Sequence, residues 1–384
     1  MASSPTLSNR IPPILILTIL AIFGLDALLL QLNRNGYTAM LSSITHDPLP
    51  RFLPDTDRLL LKQYTGFKPL DHFFAMSNVI WANVTDGSRP ELSLFMFCFG
   101  GQLIATFMVF IIEGSRTVGL APVVLNGAVW LWLVQSIGFG FVAPLYYAIH
   151  LFWTSKASWA ERVHVRDYLS LHTVVPSVLL GYIVPVIFMV YPFSNYNVRQ
   201  WSNAVWSMAP FYIFALQIVF TGLLKRLSVG QDANKPKVVL DKAALRHAYS
   251  FAWNIAVVSQ ITTYIVLLTS SFLPKNLASA LTASKVFVPD AAPHSYTPMS
   301  SAAAAMHNFL IYDFATGSLA GLVWAVHQLL EVKPELKVGE ERMGLVRGVV
   351  RSLLLSGPGG ALVAVMQHRD ESVLSAEAKS GKMQ

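Results

Sequence analysis

The chain is poor in charge and nearly devoid of cysteine. Of its 384 residues, 13% are charged and 54% hydrophobic, with a mean hydropathy of +0.50. Soluble domains carry about 25% charged residues, so this composition excludes a soluble enzyme on an anchor and specifies a polytopic membrane protein. The one cysteine, Cys98, lies in an apolar run. A single thiol excludes intrachain disulfides and cysteine-ligated zinc, and Cys98 is read as a small buried hydrophobe. The net charge of +7 comes from Lys and Arg spread over short loops. No long basic run or aromatic stacking platform accompanies it, so nucleic acid is not an expected partner.

Catalytic signatures are missing as well. The sequence has no GxGxxG, P-loop, HExxH or GxSxG pattern. Its ten histidines form no HxxH or HxxxH pair, which argues against a di-iron desaturase or hydroxylase. An aspartate-rich DDxxD segment is absent too; magnesium-assisted diphosphate ionisation needs such paired carboxylates to hold the metal.

What the chain does have is long apolar runs. A span needs about 20 apolar residues at 1.5 Å rise. Eight candidates fall at 12–32, 92–114, 120–153, 170–191, 201–224, 245–271, 304–330 and 347–366. The third is too long for one straight span; GFGF at 138–141 and Pro144 predict a kink or a split, giving nine. The first ends in Gln31, Asn33 and Arg34 with no small-residue cleavage site, so it reads as a retained helix and not a signal peptide. The expected fold is an all-α polytopic membrane bundle of eight or nine transmembrane helices. Residues 1–366 form a single transmembrane domain, and 367–384 form a polar, disordered tail.

Between the first two runs, residues 33–91 are mixed in character. PLDHFFAMSNVIWANVTDG alternates apolar, aromatic and polar residues over too short a length to span. It predicts a half-inserted segment near 69–82 that caps the bundle mouth. Residues 272–302, rich in Ser, Ala and Pro, read as a flexible external loop. Basic clusters at 156–166, 225–246 and 333–351 would lie in the cytosol by the positive-inside rule. Asn83-Val84-Thr85 is a glycosylation sequon and would need the 33–91 loop in the lumen. Nine spans reconcile the two signals. The localisation these features suggest is an endomembrane such as the endoplasmic reticulum.

Acidic residues in the apolar runs are the leading candidates for chemistry. Glu113 ends the run LSLFMFCFGGQLIATFMVFIIEGSR, and Asp313 lies within MHNFLIYDFATGSLAGLVWAV. A carboxyl at membrane depth costs about 2.5–3.5 kcal/mol on insertion scales, so such residues usually face the protein interior with a task. Desolvation also favours the protonated form, which suits acid chemistry on an apolar substrate. Each candidate has a plainer reading. Glu113 and Arg116, three residues apart, form either a local ion pair at a helix end or an acid with its orienting partner at a cavity mouth. Asp313 is either a hydrogen bond between helices or the acid. Asp26 is a packing contact or a pocket residue, and Asp71 in PLDHFF caps a short helix or takes part in the reaction. Histidines at span ends read as interfacial. Of the many aromatics, most belong to interfacial belts. Trp81, Tyr146, Tyr312 and Trp324 are candidates for a pocket wall, where ring faces would stabilise a cation.

These residues arrive in a familiar order. YTGFKPLDHFFAMSNVIWANVTDG, then SLFMFCFGGQLIATFMVFIIEGSR, VAPLYYAIHLF and FLIYDFATGSLAGLVWAV resemble a family of fungal integral membrane terpene cyclases, with members in the ascochlorin and ascofuranone pathways. The likeness runs from the first helix to about residue 330. It implies a farnesyl-derived meroterpenoid substrate whose terminal epoxide is protonated by an acid, followed by cyclisation or rearrangement, without metal or redox cofactor. Glu113 in IIEGSR, Asp313 in IYDF and Asp71 in PLDHFF fall on its motif positions. A pathway prenyltransferase and epoxidase would supply the substrate. At 78–83 NVIWAN departs from the family's pattern of Phe-Phe and Pro, which bears on the pocket roof. Two other classes fit the composition: a proton-coupled carrier of an apolar metabolite, and a membrane scaffold. Carriers often show two repeated halves, and none is visible here.

Overall fold

The computed structural model describes residues 7–118, 127–227 and 235–381. It is helical, and its helices are fixed by apolar runs punctuated by glycine and proline. The helices are α1 (Leu7–Arg34), α2 (Tyr37–His46), α3 (Lys68–Trp81), α4 (Pro90–Gly114), α5 (Gly127–Ile137) and α6 (Phe139–Trp153). There follow a short α7 (Trp159–Val163), α8 (Tyr168–Val190), α9 (Tyr196–Trp206), α10 (Ala209–Leu227) and α11 (Lys237–Phe272). The short α12 (Lys275–Ala280) and α13 (Ala283–Phe287) lead into α14 (Ala302–Val332) and α15 (Gly339–Gly381).

Among the described residues, seven helices are long and apolar enough to cross a membrane: α1, α4, α8, α10, α11, α14 and α15. The expected third span is divided at Gly138 into α5 and α6, neither of them of full span length, as GFGF suggested; its first residues, 120–126, lie outside the described segments. The expected span at 201–224 is broken as well, at Ser207-Met208 between α9 and α10. Helix α3, at 14 residues, measures about 21 Å, short of the ~30 Å hydrocarbon core.

Helices α4, α11 and α15 pack together around Gln102. Gly357 takes φ +68°, and Pro358 follows it, so α15 kinks there. Proline cannot donate, and a kink frees backbone groups of the following turn. Gln102 meets them: its Oε1 accepts the N–H of Gly359 (2.9 Å) and of Gly360 (3.4 Å). Its Nε2 donates to Ala256 O and Ser259 Oγ of α11, both at 3.1 Å. One carboxamide thus joins three helices.

At the other end of these helices lies a cluster of buried charge. Glu113 Oε1 accepts from Arg116 Nη2 (2.9 Å) and from Arg369 Nη2 (2.8 Å). Arg116 Nη2 also meets Asp370 Oδ2 at 2.5 Å, and Tyr249 Oη donates to the same oxygen at 2.8 Å. Arg369 donates onward to Asp370 Oδ1 and Gln328 Oε1, each at 2.8 Å. All four charged residues are essentially inaccessible. A second buried pair, Arg10 with Glu331 (2.5 Å), fastens α1 to α14. The expected disordered tail is therefore corrected: residues 367–381 continue α15, and Arg369 and Asp370 are core residues. Their polarity misled because the partners that neutralise them lie on distant helices.

The loop expected to be flexible is also held in place. Asp26 on α1 pairs with Arg34 (2.6 Å) and with His294 of the loop, and Gln31 Nε2 donates to Ala292 O (2.7 Å). From α14, Tyr312 Oη donates to Ala291 O (2.9 Å), and Asn308 Oδ1 accepts the Ala291 N–H (3.1 Å).

Outside the spans, His164 ties α15 to the start of α11. Its Nδ1 meets Asp241 Oδ2 at 2.6 Å and its Nε2 meets Glu377 Oε2 at 2.8 Å. Hydrogen bonding to Asp241 is the main reason that its pKa is raised. A raised folded-state pKa contributes stability that is complete below the unfolded value of about 6.5 and is lost as pH rises through the folded value. Thermal stability in detergent should therefore fall as pH rises above about 6.5, and His164→Gln should flatten that slope. An unchanged slope in the variant would remove His164 as its source.

Removing residues 367–384 should strand Glu113 and Arg116. Breaking a buried pair costs about 3–5 kcal/mol, so the truncated chain should disappear from the monodisperse fraction in size-exclusion chromatography. A wild-type profile would return the segment to a dispensable tail.

Candidate active site

The break at Gly138 forms part of the wall of an internal cavity. Gly138 adopts φ +130°, a conformation that L side chains rarely take, and an added Cβ would lie 2.9 Å from Asp313 Oδ1. Glycine is thus required both for the turn and for the approach of the carboxyl. The first N–H groups of α6 have no partner within their own helix. Asp313, on α14, supplies one: its Oδ1 accepts the Gly140 N–H at 2.7 Å. A carboxyl from one helix caps the N-terminus of another inside the apolar bundle.

Asp313 lines a cavity of about 220 Å³. Its walls come from the ends of α1 and α2, from α3, from the middle of α4, from the α5–α6 break, and from α8, α9 and α14. Phe73, Phe99, Phe309, Tyr182, Trp81 and Trp206 give it an aromatic character. Trp81 stands edge-on to Trp206 with centroids 5.0 Å apart. Most other wall residues are aliphatic or Met, so the chamber suits an apolar molecule. Polar wall atoms with no hydrogen-bond partner among the described residues include Tyr37 Oη and Gln135 Oε1. Gln135 is oriented by its Nε2, which donates to Trp206 O (3.2 Å) and Ser207 O (3.1 Å).

Of the residues singled out from the sequence, Asp313 and Trp81 meet in this cavity and the others do not. Glu113 and Arg116 belong to the buried charge cluster and not to a cavity mouth. Leu103 lines the cavity and Glu113 lies ten residues on along α4, about 15 Å at 1.5 Å per residue. Asp71 accepts the backbone N–H groups of Thr65 (2.7 Å), Gly66 (3.0 Å) and Tyr64 (3.2 Å), and the Thr65 hydroxyl (2.8 Å). Those bonds, the Thr65 N–H first, hold its pKa below the usual carboxylate value. Asp71 thus pins the turn before α3 as an anion, a poor proton donor.

The remaining pocket candidates are corrected in the same way. Tyr146 stacks on Phe110 at 4.2 Å, beside the charge cluster. Trp324 stacks on Tyr147 at 4.7 Å, and its Nε1 donates to His150 Nδ1 at 3.3 Å. Indole nitrogen only donates, so His150 Nδ1 accepts and its Nε2 carries the proton offered to Glu113 Oε2, 3.2 Å away. Asp26 and Tyr312 anchor the 288–300 loop outside the cavity. Asn83 is buried, and its Nδ2 donates to Pro54 O at 3.2 Å, so the folded chain does not present the sequon amide at its surface.

Sequence reasoning missed Arg369, Asp370 and His150 in the cluster, and Tyr37 and Gln135 in the cavity. Only Gly138 carried a signal, as part of GFGF.

The CtvD domain matches residues 13–374, nearly the whole chain. The protein belongs to the CtvD-domain family. Among its relatives is the terpene cyclase ctvD of Aspergillus terreus, 27% identical over 359 residues, covering 90% of this chain and 94% of that protein. The terpene cyclase ascI of Acremonium egyptiacum is 26% identical, with 83% and 82% covered. The terpene cyclase janA of Penicillium janthinellum is 28% identical, with 80% of each chain covered. No solved structure matches the chain. The matched region of this CtvD-domain protein takes in both the cavity and the charge cluster, including Arg369 and Asp370.

Glu113→Gln should destabilise the protein, because an amide would turn a donor toward Arg116, Arg369 or His150. A loss of about 3–5 kcal/mol is expected for an opened buried pair, read as lower Tm and yield with turnover per folded molecule retained. Normal stability with lost turnover would instead move Glu113 into the chemistry.

Proposed function

We propose that this protein is a membrane terpene cyclase that isomerises a farnesyl-derived meroterpenoid bearing a terminal epoxide, with Asp313 as the proton donor. The observation that carries the reading is a single carboxyl at the wall of an apolar, aromatic-rich cavity. The family membership supports the reaction class. Asp313 transfers its proton to the epoxide oxygen, and the C–O bond at the more substituted carbon breaks. A neighbouring alkene attacks the resulting cation and forms the ring bond. Loss of a proton from the final cation restores the proton count, so substrate and product are isomers. The faces of Phe99, Phe309 and Trp81 stabilise the passing positive charge through their quadrupoles, and the dry wall protects it from capture by water. The apolar prenylated substrate partitions into the bilayer, and the enzyme works in an endomembrane beside the prenyltransferase and epoxidase that make it.

Asp313→Asn tests the assignment with little structural penalty, because the amide oxygen still accepts the Gly140 N–H. General acid catalysis contributes about 10²–10⁴-fold. Microsomes carrying the variant should lose turnover by that factor at normal protein level, with the wild type giving a product of unchanged mass. Retention of more than about a tenth of the activity would rule out Asp313 as the acid.

A further inference from the structure

The Tyr37 hydroxyl has no place in the packing of the protein itself. Tyr37 is 1% exposed, and its Oη has no hydrogen-bond partner among the described residues. Burying a hydroxyl without a partner costs free energy, and a phenylalanine would fill the same space without that cost. The rest of the residue is firmly fixed. Its N–H donates to Asn35 Oδ1 at 3.0 Å, and its ring packs in one cluster with Ala302, Ala305 and Met306 of α14. The ring also forms part of the cavity wall that contains Asp313. Met306 precedes Asp313 by seven residues on α14, which sets the Tyr37 end about 10 Å from the acid.

We infer that Tyr37 is the polar anchor of the cavity: its hydroxyl binds an oxygen on the head group of the substrate, about 10 Å from the atom that Asp313 protonates. The inference rests on the cyclase reading and deepens it. The ligand class it names is a prenyl chain joined to an oxygenated ring, a phenol or a cyclic ketone, and not a bare terpene hydrocarbon. The head group sits against α2 and the start of α14, and the prenyl chain runs along Phe309 toward the α5–α6 break. Tyr37 touches no reacting atom in this scheme. It is a positioning residue that fixes which end of the chain meets the acid.

Tyr37→Phe tests this with two probes: a farnesyl phenol carrying a terminal epoxide, and the same epoxidised chain without the ring. Binding is read by thermal shift of the purified protein in detergent, and turnover by KM and kcat in microsomes. For the phenol, the variant should bind about tenfold more weakly and raise KM to match, with kcat within about twofold. For the ring-free epoxide, it should match the wild type. Without ligand, its Tm should equal or exceed the wild-type value. Equal weakening for both probes, no weakening for either, or a lower Tm without ligand would overturn the anchor, as would a wild type that binds neither probe. If the wild type binds the phenol in a Tyr37-dependent way yet leaves it unchanged, the anchor stands and the cyclase reading fails.

Discussion

Everything in this fold is arranged around the expense of placing charge where there is no water. Glu113, Arg116, Arg369 and Asp370 are two acids and two bases, fully buried and in mutual contact. Taken singly, each would be intolerable in hydrocarbon. Held together, with Tyr249, Gln328 and His150 completing the bonds, they tie five helices at one point. Their geometry therefore decides how α4, α6, α11, α14 and α15 cross, and the crossing decides where α14 carries Asp313. The cluster is separated from the cavity along α4, so one end of the bundle is devoted to cohesion and the other remains free to enclose a ligand.

The cavity follows from a second constraint, the helix break. Two short helices meet at Gly138 where one long span would otherwise run, and the exposed backbone of the second must be satisfied locally. Asp313 does so while remaining part of the wall. Under the proposed function, structural and chemical demands thus fall on one carboxyl. This double duty explains why the plainer sequence reading of Asp313, an interhelical hydrogen bond, and the functional one are compatible.

The spans were legible because backbone in lipid must be helical, and length and hydropathy report that directly. Asp313 stood out because an acid amid Ile, Tyr and Phe is rare at membrane depth, and it lies in the cavity wall and accepts the Gly140 N–H. GFGF announced the break. The segment HRDES after Gln367 misled, since polar residues next to a span usually mean solvent. Arg369 and Asp370 are buried only because Glu113 and Arg116 await them, and pairing across more than 250 residues leaves no local pattern. Trp324 and Tyr146 were expected in a pocket wall, but they pack beside the charge cluster. Tyr37 left no trace at all, because an orphaned hydroxyl is visible only once its neighbours are placed.

The pair that joins the first helix to the second-last has a bearing on biogenesis. Arg10 and Glu331 lie 321 residues apart in the chain. At a synthesis rate of about 5–20 residues per second, the ribosome needs roughly 16–64 s after making the arginine before its partner exists. During that interval the guanidinium has no acid to meet. Until α14 arrives, the acceptors open to Arg10 are Leu151 O and Thr154 Oγ1, at the end of α6. Closing the ion pair is thus a late step in assembling this bundle, and it joins the first helix to the second-last.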